Sequence, residues 1–185
     1  MILNLEKIFD EFIQNKISKE VASELLIHLI ERSSDEDLRL KSLKILNKVN
    51  LTTIKIFKFL ENVLISDSNQ FLRLEAFNII KEKFKVKGIK SIIHSINSEE
   101  DAFLIDLIDY LSETDPIKCK GLIIDKLKKK DEKSINFYLE ENDLKVLSLK
   151  QLKNILFNYL FNKSIDTLYF HRHKIPLAFD LFGIE

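Results

Sequence analysis

Two segments of this sequence share one pattern of residue types and follow one another along the chain. They are SSDEDLRLKSLKIL, residues 33–46, and SDSNQFLRLEAFNII, residues 66–80. A constant shift aligns apolar with apolar, arginine with arginine and small with small residues, pairing Leu38 with Leu72, Arg39 with Arg73 and Ser42 with Ala76. Self-similarity at this period is typical of stacked helical hairpins, because one hairpin cannot bury its own apolar face.

The rest of the chain also has helical periodicity, since apolar residues recur at intervals of three and four. With three glycines and two prolines among 185 residues, the chain has few of the residues that tight β-turns need. Residues that predict helix starts are Ser18, Ser34, Thr52 or Thr53, Ser68, Ser98 and Asp115 before Pro116, and Gly88 predicts a C-terminal cap. The sequence therefore predicts an all-α fold.

The periodicity predicts a single domain over residues 1–185. Residues 1–17 form an N-terminal capping helix, residues 18–142 form helical hairpins, and residues 143–185 form aromatic-rich C-terminal capping helices. The hairpins are predicted at 18–48, 51–85, 88–112 and 115–141, followed by a longer and less regular pair at 143–182. Aromatic residues of the C-terminal part are Phe157, Tyr159, Phe161, Tyr169, Phe170, Phe179 and Phe182. They either pack as a buried cap or remain exposed as the interface of a homodimer.

The first two hairpins resemble the HEAT repeat of armadillo-type α-solenoids. The second carries the pattern in full, with an aspartate at the turn, then branched apolar, arginine and small residues at Asp67, Leu72, Arg73 and Ala76. The first has Arg39 but Ser33 in place of the aspartate, and the third has no such arginine. The resemblance implies a right-handed α-α superhelix of about five hairpins with a divergent C-terminal cap.

The arginine and the aspartate have a physical role in such a stack. An aspartate at the turn accepts hydrogen bonds from helix amides, and an arginine reaches a carboxylate or carbonyl of the neighbouring hairpin. Small residues such as Ser42 and Ala76 allow the helices to approach closely. We therefore expect Arg39, Asp67, Arg73 and Ala76 to hold the repeats together.

The resemblance implies that the second helix of each hairpin lines the concave side, where a partner binds. Outward positions on these helices are Lys41, Lys44 and Lys48, then Glu75, Asn78 and Glu82, then Asp106, Asp109 and Glu113. This charged strip changes from positive to negative, which suits a polar segment of another protein. Ordinary surface solubility explains the same charges. The leading hypothesis is a non-enzymatic scaffold that binds another protein through this concave helix face or through the aromatic C-terminal end.

The charge balance argues against a polyanion as the general partner, since 29 lysines and arginines face 29 aspartates and glutamates. The basic segment 118–133 supports the alternative hypothesis, a HEAT-like nucleic-acid-binding protein or an enzyme similar to the HEAT-like DNA glycosylases. The sole cysteine, Cys119, excludes an internal disulfide and fits a reducing compartment. No signal peptide or membrane-spanning segment is predicted, so we expect a cytoplasmic protein without a membrane partner.

Candidate catalytic and metal-binding residues are few. The HRH sequence at 171–173 is interpreted as a basic surface patch, and His28 and His94 as core or boundary residues. Lys118 and Lys120 would lower the pKa of Cys119, but no partner histidine is evident. The sequence predicts no metal, no cofactor and no enzyme activity.

Overall fold

A computed structural model describes residues 4–99, 102–129 and 144–171, with the side chains of the last helix described as far as residue 161. Every regular element in these ranges is helical, which confirms the predicted all-α class. The helices are α1 (Leu5–Ile13), α2 (Lys19–Arg32), α3 (Glu36–Val49), α4 (Ile54–Ser66), α5 (Gln70–Lys83), α6 (Ile89–Ser98), α7 (Phe103–Thr114), α8 (Pro116–Lys128) and α9 (Leu149–His171), with a short 3-10 helix at Lys85–Gly88.

The chain divides into two compact units, Met1–Glu99 and Glu100–Glu185. The third predicted hairpin, 88–112, has α6 in the first unit and α7 in the second, so it stays a prediction. The single-domain assignment stays a prediction as well. The second half of the predicted hairpin 115–141 lies outside the described residues.

The first unit is built from helical hairpins. Helix α2 packs on α3 and α4 packs on α5, while α3 also packs on α5 and α4 on α6. Short connections between packed helices reverse the chain each time, so successive helices run in alternating directions. The turns 33–35 and 67–69 therefore lie with Glu99 at one end, here named the turn end. The connections 14–18, 50–53 and 84–88 lie at the other, the connection end.

Each unit has an apolar interior. In the first unit Leu26, Leu43, Leu60 and Leu72 are fully buried, one from each of the four hairpin helices. Ser42 and Ala76 are also fully buried, and the Ser42 hydroxyl donates a hydrogen bond to the Leu38 carbonyl at 2.7 Å. In the second unit α8 packs on both α7 and α9, and the fully buried side chains include Leu104, Ile108, Cys119, Ile123, Leu127, Leu152 and Leu156.

Three predicted helix starts are confirmed. Ser18 accepts from the Val21 amide, Thr53 caps α4, and Asp115 caps α8 with Pro116 at the first helical position. A serine or threonine hydroxyl and an aspartate carboxylate each satisfy an amide that has no partner within the helix. Capping residues thus locate the starts of α2, α4 and α8.

Two other predicted caps are wrong by one residue. Asp35, not Ser34, caps α3, and its carboxylate accepts from the Leu38 amide at 3.0 Å. Asn69, not Ser68, caps α5 and accepts from the Phe71 amide at 2.8 Å. In each turn a serine and an Asp or Asn compete for the same role, and the longer planar side chain takes it.

The predicted roles of Ser98 and Gly88 are also wrong. Ser98 is the last residue of α6, and its hydroxyl donates to the Ser95 carbonyl at 3.1 Å. Gly88 has φ −77° and therefore does not adopt the left-handed cap conformation. A Cβ atom at Gly88 would lie 2.2 Å from Cγ2 of Ile80. Close approach of the chain to α5, rather than helix termination, explains this glycine.

Candidate functional site

Arg39 of α3 connects the first two hairpins at the turn end. Its Nε donates to the Ile30 carbonyl of α2 at 2.8 Å. Its two terminal nitrogens donate to the two carboxylate oxygens of Asp67, the residue that follows α4. The side chains are only 18% and 9% exposed. A bidentate guanidinium contact of this kind fixes both the distance and the angle between the groups.

Arg73 of α5 repeats this arrangement one hairpin later. Its Nε and one terminal nitrogen donate to the two carboxylate oxygens of Glu99, at 2.7 and 2.9 Å. The other terminal nitrogen donates to the Asp67 carbonyl at 3.0 Å. The Arg73 and Glu99 side chains are 13% and 9% exposed. Glu99 follows α6 just as Asp67 follows α4.

The two arginines therefore form one repeated structural device, here named the arginine ladder: Arg39 with Asp67, and Arg73 with Glu99. Each arginine also binds a carbonyl at the C-terminal end of the first helix of its own hairpin, or just beyond that end. Asp67 additionally accepts from the Asn69 amide at 2.9 Å, which orients its carboxylate. The shift that pairs Arg39 with Arg73 would place the second carboxylate at position 101. The repeat pattern consequently does not reveal Glu99, whose longer side chain reaches Arg73 from two residues earlier.

The connection end has its own contacts between neighbouring helices. The Lys83 ammonium donates to the Asn47 carbonyl near the C-terminus of α3. Burial lowers the pKa of Lys83 from its ordinary value. Lys55 of α4 forms an exposed ion pair with Glu24 of α2 at 2.7 Å. These contacts and the arginine ladder join successive hairpins at both ends.

The charged strip is only partly assembled by the described residues. Lys41, Lys44 and Lys48 are exposed on α3. Glu82 is exposed on α5, whereas Glu75 and Asn78 are half-buried, and Asp106, Asp109 and Glu113 are exposed on α7. Since α7 belongs to the second unit, a continuous strip stays a prediction. Within the first unit, the α3 and α5 members lie on helices that pack together.

One exposed aromatic residue on this surface was not foreseen. Phe71, in the first turn of α5, is 65% exposed. It takes the position of Asp37 in the preceding repeat and precedes Glu75 by about one helical turn, on the same face of the helix. The sequence feature that could have predicted this exposure is an aromatic residue at an outward position of the helical pattern.

Asp109 is held by a lysine of α9. The Lys153 ammonium pairs with the Asp109 carboxylate and also donates to the Ser112 hydroxyl at 3.3 Å. Ser112 in turn donates to the Asp109 carbonyl at 2.7 Å. These contacts join the end of α7 to α9. The cluster therefore has the chemistry of a structural contact between α7 and α9.

Cys119 lies in the apolar interior of the second unit and is fully buried. Burial raises the pKa of its thiol to about 11, although Lys153 acts in the opposite direction. The expectation that Lys118 and Lys120 lower this pKa is wrong, because desolvation exceeds the effect of nearby charge. At neutral pH the group is a thiol rather than the nucleophilic thiolate.

The basic segment 118–133 is described as far as residue 129. Lys118, Lys128 and Lys129 are exposed, whereas Lys126 is only 5% exposed. The Lys120 ammonium donates to the Lys145 carbonyl at 2.9 Å. Two of the five described lysines are thus engaged in the fold, and residues 130–133 lie outside the described residues.

The histidines and aromatic residues complete the set of sequence candidates. His28 and His94 are exposed, so their assignment to the core or boundary is wrong. They lie on the outer surface of amphipathic helices.

In α9, Phe157 and Tyr159 are half-buried and Phe161 is 66% exposed. The HRH side chains and those of Tyr169, Phe170, Phe179 and Phe182 lie outside the described residues. No group of His, Cys, Asp or Glu within the described side chains has metal-binding geometry.

Comparison with protein-family models, with curated proteins and with solved structures found no match. In the part of the chain that the structure describes, no helix is both long enough and apolar enough to cross a bilayer. The packed helical hairpins are compatible with a helical-repeat solenoid. The HEAT resemblance itself rests on the sequence pattern of the first two hairpins, which is complete at Asp67, Leu72, Arg73 and Ala76.

Proposed function

We propose that the chain is a non-enzymatic HEAT-like scaffold that binds a segment of another protein on the outward face of α3 and α5. In this proposal the hairpins follow a right-handed superhelix, and the second helices form its binding side. The resemblance of the first two hairpins to HEAT repeats supports the proposal. So does the repeated arginine contact, which gives stacked hairpins a fixed relative position.

The observation that carries the proposal is the surface of α3. Lys41 and Lys44 are exposed, and neither side chain forms an ion pair or hydrogen bond within the described residues. The exposed Phe71 ring lies on the neighbouring helix α5. A polar segment with acidic side chains and one apolar anchor would complement this combination, since aromatic anchors contribute strongly to protein interfaces.

The test compares two triple charge reversals that change the net charge equally. The first is Lys41→Glu, Lys44→Glu and Lys48→Glu on α3. The second is Lys118→Glu, Lys128→Glu and Lys129→Glu on and just after α8, three lysines that are likewise exposed. Partners are captured by cross-linking with the intact chain and then measured as purified proteins by titration calorimetry. We expect the first variant to lose binding and the second to retain it; retention by both would contradict the proposal.

The same pair of variants tests the alternative, a HEAT-like nucleic-acid-binding protein or glycosylase-like enzyme. That alternative requires binding of random duplex DNA with a steep dependence on salt. It also requires that the α8 variant, and not the α3 variant, loses this binding. Equal and weak DNA binding by both variants would remove the alternative.

A further inference from the structure

The connection end of the first unit carries charges of predominantly one sign. Six exposed lysines lie on its helix ends and connections, with no ion pair to any described residue: Lys16, Lys19, Lys58, Lys85, Lys87 and Lys90. The exposed carboxylates of this end are Asp10, Glu20 and Glu82, while Glu24 is paired with Lys55. A chain with no net charge thus has a local positive surface.

Charge at the turn end has the opposite sign. Asp35, Glu36 and Asp37 are exposed there, and Asp67 and Glu99 complete the arginine ladder. The three arginines of the first unit, Arg32, Arg39 and Arg73, also lie at this end. The first unit is consequently polarised from end to end, with lysine as the only basic residue type at the connection end.

Exposed aliphatic side chains lie among these lysines. Val21 of α2, Ile54 of α4 and Val86 of the 3-10 helix are 44%, 63% and 80% exposed. Each is close in sequence to lysines of the connection end, and each belongs to a different element. The left-handed conformation of Lys85, with φ 36°, accompanies the exposure of Val86 at this bend.

We propose that the connection end is a docking surface for a bilayer containing anionic phospholipids. Lysine ammonium groups are attracted to acidic headgroups, and aliphatic side chains between them enter the boundary with the acyl chains. Charge complementarity selects an anionic surface. The aliphatic residues select lipid over nucleic acid, because binding of bases relies on arginine and aromatic stacking. The surface is distinct from the α3 and α5 face, so this inference does not depend on the proposed function.

The first test measures cosedimentation of the intact chain with two kinds of vesicle. One contains phosphatidylcholine alone and the other phosphatidylcholine mixed with phosphatidylserine. We expect binding to the mixed vesicles only, with loss at high salt because the attraction is screened. Equal binding to both vesicles, or binding to neither, would overturn the proposal. So would tighter binding of duplex DNA or polyglutamate than of the mixed vesicles.

The second test uses matched charge reversals. Lys85→Glu with Lys87→Glu changes the connection end, and Lys41→Glu with Lys44→Glu makes the same charge change on α3. All four side chains are exposed, so circular dichroism should show unchanged helicity in both variants. We expect the first variant to bind mixed vesicles at least about tenfold more weakly, and the control to bind like the wild type. An equal loss of vesicle binding in the two variants would mean that only the net charge of the protein matters. That result would overturn the proposed site.

The third test removes apolar contact without changing charge. Ile54→Ser with Val86→Ser should weaken vesicle binding several-fold, since insertion of these side chains contributes to interfacial binding. The control is Ile117→Ser in the second unit, a residue that is 87% exposed. Unchanged binding by the double variant would contradict the insertion of the aliphatic side chains.

Discussion

Arginine is the side chain that the ladder positions require. At Arg39 and Arg73 the guanidinium binds both oxygens of one carboxylate and, through a further N–H, a main-chain carbonyl. A lysine offers a single point charge and cannot make this planar contact in the same geometry. With both partners largely buried, loss of the arginine removes a counter-charge from a carboxylate that is shielded from water.

Replacement of Arg73 by Met should therefore destabilise the protein by about 3 kcal/mol, measured by urea unfolding. The control is Lys55→Met, which breaks an ion pair whose side chains are 68% and 62% exposed. That loss should be below about 1 kcal/mol. If Arg73→Met with Glu99→Leu is no more stable than Arg73→Met alone, the burial of the Glu99 carboxylate without Arg73 is not the cause.

Cys119 makes stability depend on alkaline pH. The buried thiol keeps its proton up to about pH 11, whereas in the unfolded chain it ionises near its ordinary pKa of 9.0. The stabilisation is complete below pH 9 and is lost as the pH rises towards 11, because only the unfolded state releases the proton there. Urea unfolding should show a steeper loss over this range for the wild type than for Cys119→Ala. Parallel profiles would contradict the raised pKa.

The close approach of the chain to α5, rather than the chemistry of a turn, determines the position of the element that follows α5. The chain passes Ile80 at Gly88 so closely that no side chain fits there. The packing of α6 on α4 begins immediately afterwards. Steric contact at Gly88 thus contributes to the position of α6 and of Glu99 at its far end.

Gly88→Ala should destabilise the protein by about 1–3 kcal/mol through overpacking against Ile80. Gly121 is the matched control, since a Cβ atom there meets nothing within 4 Å. Gly121→Ala in the interior of α8 should be stabilising by about 0.5–1 kcal/mol. Thermal unfolding of the two variants should move the midpoint in opposite directions, and shifts of the same sign would contradict this account.

On the scale of the whole chain, the first unit contains its own hairpins, its own buried leucines and both pairs of the arginine ladder. Residues 1–102 should consequently fold alone, with a helical circular dichroism spectrum and a cooperative urea transition. The matched fragment with Glu99→Gln should be less stable, because Arg73 loses its buried contact with the Glu99 carboxylate. A fragment without a cooperative transition would contradict the autonomy of this unit.

Sequence periodicity and capping chemistry suffice for much of the first unit. The alignment of the two repeats identified Arg39 and Arg73 as equivalent, and Ser18 and Thr53 located helix starts correctly. Other features depend on three-dimensional contacts that a single sequence does not contain. The contact of Arg73 with Glu99 depends on how the two side chains meet in the fold, and the exposure of His28 and His94 depends on which helix face packs inward. At Cys119, burial raises the pKa of the thiol, and this effect is larger than that of the neighbouring charges.

The arginine ladder also bears on how such a chain could grow. The second hairpin supplies Arg73 to the helix that follows and Asp67 to the hairpin before, and the segment 36–69 likewise carries both Arg39 and its acceptor Asp67. Tandem copying of residues 36–69 would insert both halves of a new junction at once. The protein could be lengthened by whole hairpins without inventing a new interface.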